Sequence, residues 1–160
     1  MIKKKIAIFL LSVGVIGMLS GCGSEISVGE EDAIDIPAMA GDLQENLTFE
    51  DSLSELKTDV GLNYYGISSE TVKDSVVILS TGATAEEIAI FEASSKDYVK
   101  VIELACDTRK NKQTVSYSDY TPEETSRLDH TIIETSGNYV IYCVTDDTKK
   151  AEEIIDRYFK

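Results

Sequence analysis

Apolar residues follow two regimes along this chain. From Ile6 to Leu19, fourteen successive positions carry no charge. From Ile36 onward, apolar residues return with the periods of helices and strands. Ile36, Met39, Ala40, Leu43 and Leu47 keep the i, i+3, i+4, i+7 spacing of one helix face, with Pro37 suited to the first turn. Thr48 and Asp51 read as a capping box, and Phe49, Leu53, Leu56 and Val60 carry the helical spacing onward. "GLNYYGISSE" then reads as a connector punctuated by Gly61 and Gly66. "SVVILS" at 75–80 is β-branched, "TGATA" turns the chain at Gly82, and "EEIAIFE" at 86–92 alternates as a second strand. From Lys96 to about Lys112 the period is helical, with Tyr98, Val101, Ile102, Ala105 and Arg109 on one face.

The second half repeats this order. "YSDY" is a loop, and Thr121-Pro122-Glu123-Glu124 combines an N-cap, Pro at N1 and Glu at N3 to start a short helix. "TIIET" at 131–135, the turn "SGN" and "YVIYCVT" at 139–145 form a hairpin. Asp146 and Asp147 open a last helix with the apolar stripe Ala151, Ile154, Ile155, Tyr158 and Phe159. The result is an α+β fold. Its ββα–ββα order predicts a four-stranded, mainly antiparallel sheet with helices packed on it, preceded by an N-terminal helix.

The early apolar run belongs to a different kind of segment. Lys3, Lys4 and Lys5 precede it, and the small residues Ser20 and Gly21 follow it. That is the grammar of an export signal, and the run is short for a bilayer span of about 20 residues. Leu19-Ser20-Gly21-Cys22 resembles the lipobox of bacterial lipoproteins. The resemblance implies cleavage between Gly21 and Cys22 and a diacylglyceryl group on the Cys22 sulfur, whose thiolate is the nucleophile that such alkylation needs. Two acyl chains hold a protein on a membrane where one does not. The expected location is the extracytoplasmic face of the cell membrane.

Charge sharpens this picture. The signal at 1–21 contains three of the 15 cations and none of the 29 acids, which leaves a mature net charge of −17. A nucleic-acid partner, which demands a basic patch, is excluded. So is charge-driven adsorption to anionic lipid, and the anchor must come from Cys22. Residues 22–36 read as an acidic tether with a reach of roughly 20 Å. Its acids lack the spacing of a Ca²⁺ loop. Residues 37–160 make a single α+β domain.

Candidate chemistry is sparse. His130 is the only histidine, with Ser126 and Asp129 nearby. Its place between a helix and a strand suits a boundary residue better than a general base, since a triad must converge in space. One His and two separated Cys make zinc improbable, and no metal or other cofactor is expected. Glu86, Glu87 and Glu92 could supply a carboxylate pair for glycoside hydrolysis, as could Asp146 and Asp147, although a solvated sheet face has the same alternation. Cys106 and Cys143 sit in apolar-patterned segments, where buried free thiols are the usual outcome, with a disulfide in an exported protein as the alternative. Tyr64, Tyr65, Tyr117 and Tyr120 fall in predicted loops, where they either bind a ligand or cover the edge of a small core.

The ordered set "YYGI", "VVILSTGATAEEIAIFEA", "YTPEE", "GNYVIYCVTDD" and "AEEI" resembles domain-of-unknown-function family 4358 over roughly residues 37–160. That family consists of small exported chains, many with lipoprotein signals, mostly from clostridia-like bacteria. The resemblance implies a cell-envelope protein and no particular activity. Without a catalytic constellation, the expected role is non-enzymatic binding of an envelope protein or ligand. A carboxylate-based envelope hydrolase is the alternative.

Overall fold

The computed structural model describes residues 33–159. Cys22, the expected signal and the expected acidic tether as far as Asp32 lie outside the described residues. Five helices and five strands follow in the order α1 (Ile36–Asn46), β1 (Ser54–Glu55), α2 (Thr58–Tyr65), β2 (Val72–Leu79), β3 (Glu87–Ala93), α3 (Lys96–Tyr117), α4 (Pro122–Asp129), β4 (Ile132–Ser136), β5 (Tyr139–Val144) and α5 (Thr148–Tyr158). The strands form one antiparallel sheet in the order β1-β2-β3-β5-β4. The predicted four strands gain a fifth, β1, two residues long, paired to the outer edge of β2 through Ser54↔Leu79 and Glu55↔Ile78.

Helices cover both faces of this sheet. On one face, Ile36, Met39 and Leu43 of α1 and Ala151, Ile154 and Ile155 of α5 pack on Ile78, Ile88, Ile90, Ile141 and Cys143. On the other, Leu62 and Tyr65 of α2, Ile102 and Cys106 of α3 and Leu128 of α4 pack on Val77, Ala89, Phe91, Val140, Tyr142 and Val144. The register Ala89↔Tyr142 and Ile90↔Ile141 pairs the two central strands. Every residue of β5 is buried, as expected for a strand covered on both sides, and the six apolar or aromatic letters that precede the threonine of "YVIYCVT" record that.

Several expectations are corrected. The predicted helix over 48–60 does not form. Phe49 and Leu53 are partly buried loop residues that plug the first core face, and Asp51 accepts from the backbone N–H and hydroxyl of Thr81 instead of capping a helix. The helix begins later, at Thr58, and takes in Gly61 to Tyr65 of the predicted connector. Gly66 ends it in the left-handed conformation at φ 68°. Ile34 packs on the core, and the Asp35 carboxylate accepts from the Ala38 N–H at 3.0 Å to cap α1. Cys106 and Cys143, for which buried free thiols are the favoured reading of the sequence, are both buried and free. They lie in the cores on opposite faces of the sheet, Cys106 on the α3 face and Cys143 on the α1–α5 face.

Two glycines report the tightness of packing. A Cβ on Gly61 would stand 2.9 Å from Val77 Cβ and Cγ2, whereas one on Gly41, inside α1, would meet nothing within 4 Å. Gly61→Ala should therefore destabilise the domain by about 1–3 kcal/mol. Gly41→Ala should stabilise it by about 0.5–1 kcal/mol. Urea unfolding of both variants checks the opposite signs.

Candidate functional site

The buried stripe of α3 changes character along its length. Ile102 and Cys106 are apolar and lie over the sheet. One and two turns further on, the same stripe presents Arg109 and Gln113, and then Tyr117 at the helix end. These polar residues extend past the apolar core to the end of β3 that begins with Glu87, whose side chain is fully buried. The Glu87 carboxylate accepts from Arg109 Nη2 at 2.8 Å and Nε at 3.2 Å, from Gln113 Nε2 at 3.0 Å and from the Tyr65 hydroxyl at 2.5 Å. Gln113 is held from its other side by the Tyr142 hydroxyl, which donates to Oε1 at 2.6 Å. Tyr64 lies face-on to the Arg109 guanidinium, 5.2 Å from its centre.

Burial alone would disfavour the Arg109 charge, but the hydrogen bonds and charge of Glu87 outweigh it and raise its pKa. Burial and the Glu87 charge push the Tyr65 hydroxyl well up, and they raise Tyr142 and the Cys106 thiol as well. Cys143, enclosed by apolar side chains, is pushed up to about 12. At neutral pH these groups keep their protons. The tyrosines therefore act as fixed donors, and the thiols are unreactive.

Two further buried carboxylates surround the β2–β3 turn. Glu86 accepts from the backbone N–H groups of Glu50 and Asp51 and from the Thr84 hydroxyl. Glu124 accepts from the Ala85 N–H at 2.6 Å and from Arg127 Nη1 at 2.7 Å. Arg127 then forks onto Asp146, with Nε–Oδ1 at 3.1 Å and Nη2–Oδ2 at 2.8 Å. The capping role expected of Thr121 is absent: its side chain makes no cap bond, and the intended N3 partner Glu124 is engaged elsewhere.

These contacts place the candidate carboxylates. Glu86 directly precedes β3 and Glu87 begins it, and their side chains point to opposite faces, each with its own donors. Glu92, at the far end of β3, pairs with Lys73 at 2.7 Å. The three do not converge on one cleft, nor do they form the solvated face that alternation suggested, since Glu86 and Glu87 are buried. Asp146 is bound to Arg127, whereas Asp147 stands at the start of α5 without capping it. His130 ends α4 with Nδ1 2.8 Å from the Ser126 carbonyl, and Ser126, Asp129 and His130 form no hydrogen-bonded triad. Among the described residues, no group of three or more His, Cys, Asp or Glu could hold a metal ion, and no helix is long and apolar enough to cross a membrane.

The place that remains is a cleft of about 710 Å³ between the end of α3, the β2–β3 turn and the start of α4. Arg109, Lys112, Gln113, Tyr117, Tyr120 and Thr121 supply most of its wall. The Tyr117 hydroxyl donates to the carbonyls of Gly82 and Thr84 and so fixes the turn against the helix. Burial, with Glu124 nearby, raises its pKa and keeps it a donor. Tyr120 is 86% exposed. The four singled-out tyrosines thus divide. Tyr65 is core, Tyr64 backs Arg109, and Tyr117 and Tyr120 line the cleft. Arg109, Lys112 and Gln113 were not picked out as site residues from the sequence; the available signal was an Arg and a Gln at i and i+4 on an otherwise buried stripe.

Glu87→Ala should cost about 3 kcal/mol, because it leaves the half-buried Arg109, together with Gln113 and the Tyr65 hydroxyl, without their shared acceptor. Glu92→Ala, which removes a pair with an exposed lysine, should cost under about 1 kcal/mol. Urea unfolding at pH 7 separates the two. Hydrogen bonding and charge from Arg127 hold the Asp146 pKa below its ordinary value. That pair therefore stabilises the fold above about pH 4, and the gain is lost as pH falls through the depressed folded value. Asp146 is 63% exposed, so the loss should be under about 1 kcal/mol, and it should vanish in Asp146→Asn.

Neither the curated proteins nor the solved structures include a significant match to this chain. A family model, the domain of unknown function DUF4358, matches residues 40–145, from within α1 to the end of β5 and so across the whole sheet and the cleft. The chain belongs to the DUF4358 family.

Proposed function

We propose that the chain is a lipoprotein, anchored through diacylglyceryl-Cys22 at the extracytoplasmic face of the cell membrane, and that its domain is a non-enzymatic binding module. The anchor rests on the order Lys3–Lys5, apolar run, Leu19-Ser20-Gly21-Cys22. The binding role rests on one observation, the cleft at the end of α3. Its volume of about 710 Å³ lies within the range of small-molecule sites, and its wall carries polar groups and tyrosines held by a rigid network. A hydrolase would need two carboxyls facing one substrate. The buried acids here each satisfy backbone or arginine donors instead.

Cys22→Ser tests the anchor. The variant should leave the membrane fraction or accumulate as uncut precursor, and a processed, membrane-bound variant would overturn it. Ala83→Trp tests the cleft, because residue 83 is exposed on its rim. Small molecules from an envelope extract that are retained by the wild-type protein should be lost from this variant. Equal retention by both would remove the cleft as the site.

A further inference from the structure

Charge in the cleft runs against the charge of the chain. The sequence holds 29 acids against 15 Lys and Arg, yet none of the nine residues lining the cleft is acidic, and its two charged members, Arg109 and Lys112, are both cations. They differ in what they offer. Arg109 and Glu87 form a close pair, so Arg109 contributes little net charge. It contributes direction: Nε and Nη2 are fixed on Glu87, while Nη1 makes no hydrogen bond among the described residues. The guanidinium is thus clamped, with one amino group unused on a cleft-lining side chain. Lys112 lies about one turn after Arg109 and directly before Gln113 on α3, is exposed, and has no ion pair among the described residues. It supplies the uncompensated positive charge.

Two more groups fit the same ligand. The Thr121 hydroxyl is buried yet has no hydrogen-bond partner, although Thr121 lines the cleft at the start of α4. Buried polar atoms are rarely left unpaired, and a hydroxyl can donate to an anion. Tyr120 presents an exposed ring at the rim, where a planar group can stack.

We infer that the cleft binds a small oxyanion, a carboxylate or a phosphate, carried on a ring that stacks on Tyr120. Lys112 provides the charge, Arg109 and Thr121 the directed hydrogen bonds, and Glu87 acts only as the positioning residue for Arg109. This rests on the reading of the cleft as a ligand site and names the class of ligand.

The test uses the full-length chain in detergent and four ring probes: benzoate, phenyl phosphate, the neutral phenyl β-glucoside and the cationic benzylamine. Titration calorimetry should show saturable binding of benzoate or phenyl phosphate, and the stronger of the two tells carboxylate from phosphate. That binding should weaken with added salt. It should be at least tenfold weaker in Lys112→Glu, a surface change that leaves the fold intact by circular dichroism. Tyr120→Ala should weaken the aryl anions and leave inorganic phosphate unchanged. If the glucoside binds as well as the anions and Lys112→Glu changes nothing, the anion assignment fails while the cleft stands. If no probe binds the wild-type protein, or if binding survives Ala83→Trp, both fail.

Discussion

One buried carboxylate organises the α2–α3 side of this domain. Glu87 sits at the start of the central strand β3, out of contact with water, and taking its charge out of water is costly unless the geometry is good and every lone pair is satisfied. Here Arg109, Gln113 and Tyr65 all donate to it. Those three partners come from two helices. Satisfying Glu87 therefore fixes where α2 and α3 sit over the sheet, and Tyr65 extends the constraint into the core through edge-to-face contacts with Phe91 and Tyr142. The polar end of α3 follows from the same requirement. A helix that must deliver Arg109 and Gln113 to a buried acid cannot close over the sheet end with apolar side chains, and the cleft lies where that closure is missing.

Glu86 extends this logic to the other face. The pleat sends consecutive side chains to opposite sides, so adjacent glutamates tie down unrelated structures. Glu87 holds helices, whereas Glu86 holds the backbone at Glu50 and Asp51. Glu124 adds a third tie by accepting from the Ala85 N–H, just before the pair. The β2–β3 turn is thus fixed from three directions, with Tyr117 and Asp51 bonding the turn residues themselves. A cleft with such a wall needs little reordering on binding, which lowers the entropic cost of holding a ligand.

The fold was legible where apolar pattern and burial coincide. "YVIYCVT" and "EEIAIFE" became the central strands because long β-branched and aromatic runs suit a strand covered on both faces. The stripe Ala151, Ile154, Ile155 became the buried side of α5 for the reason that predicted it. Local capping grammar failed twice, and for one cause. Asp51 and Glu124 both had the right spacing from a threonine, yet each bonds a group thirty or more residues away, Thr81 and Ala85. A capping bond contributes about 1 kcal/mol, and a charge-assisted bond made while leaving water can exceed that. Nothing local distinguishes Glu86 and Glu87 from the other acids of so acidic a chain. Their burial is a property of the sheet, and with it the identity of Arg109 and Gln113 as site residues stayed hidden.

An acidic protein that recognises an anion faces a field of the wrong sign only at long range. At physiological ionic strength, exposed charges more than about 8 Å apart are largely screened, so the many surface acids act weakly at the cleft mouth. Inside, Lys112 and the clamped Arg109 act at contact distance, where screening is least. The surface charge and the cleft charge then serve different ends. The first, screened as it is, slows the encounter with an anion only modestly. The second rewards only an anion small enough to enter and placed to meet Nη1 and the Thr121 hydroxyl. Selectivity in such a site comes from geometry rather than attraction, and Glu87 sets that geometry from beneath.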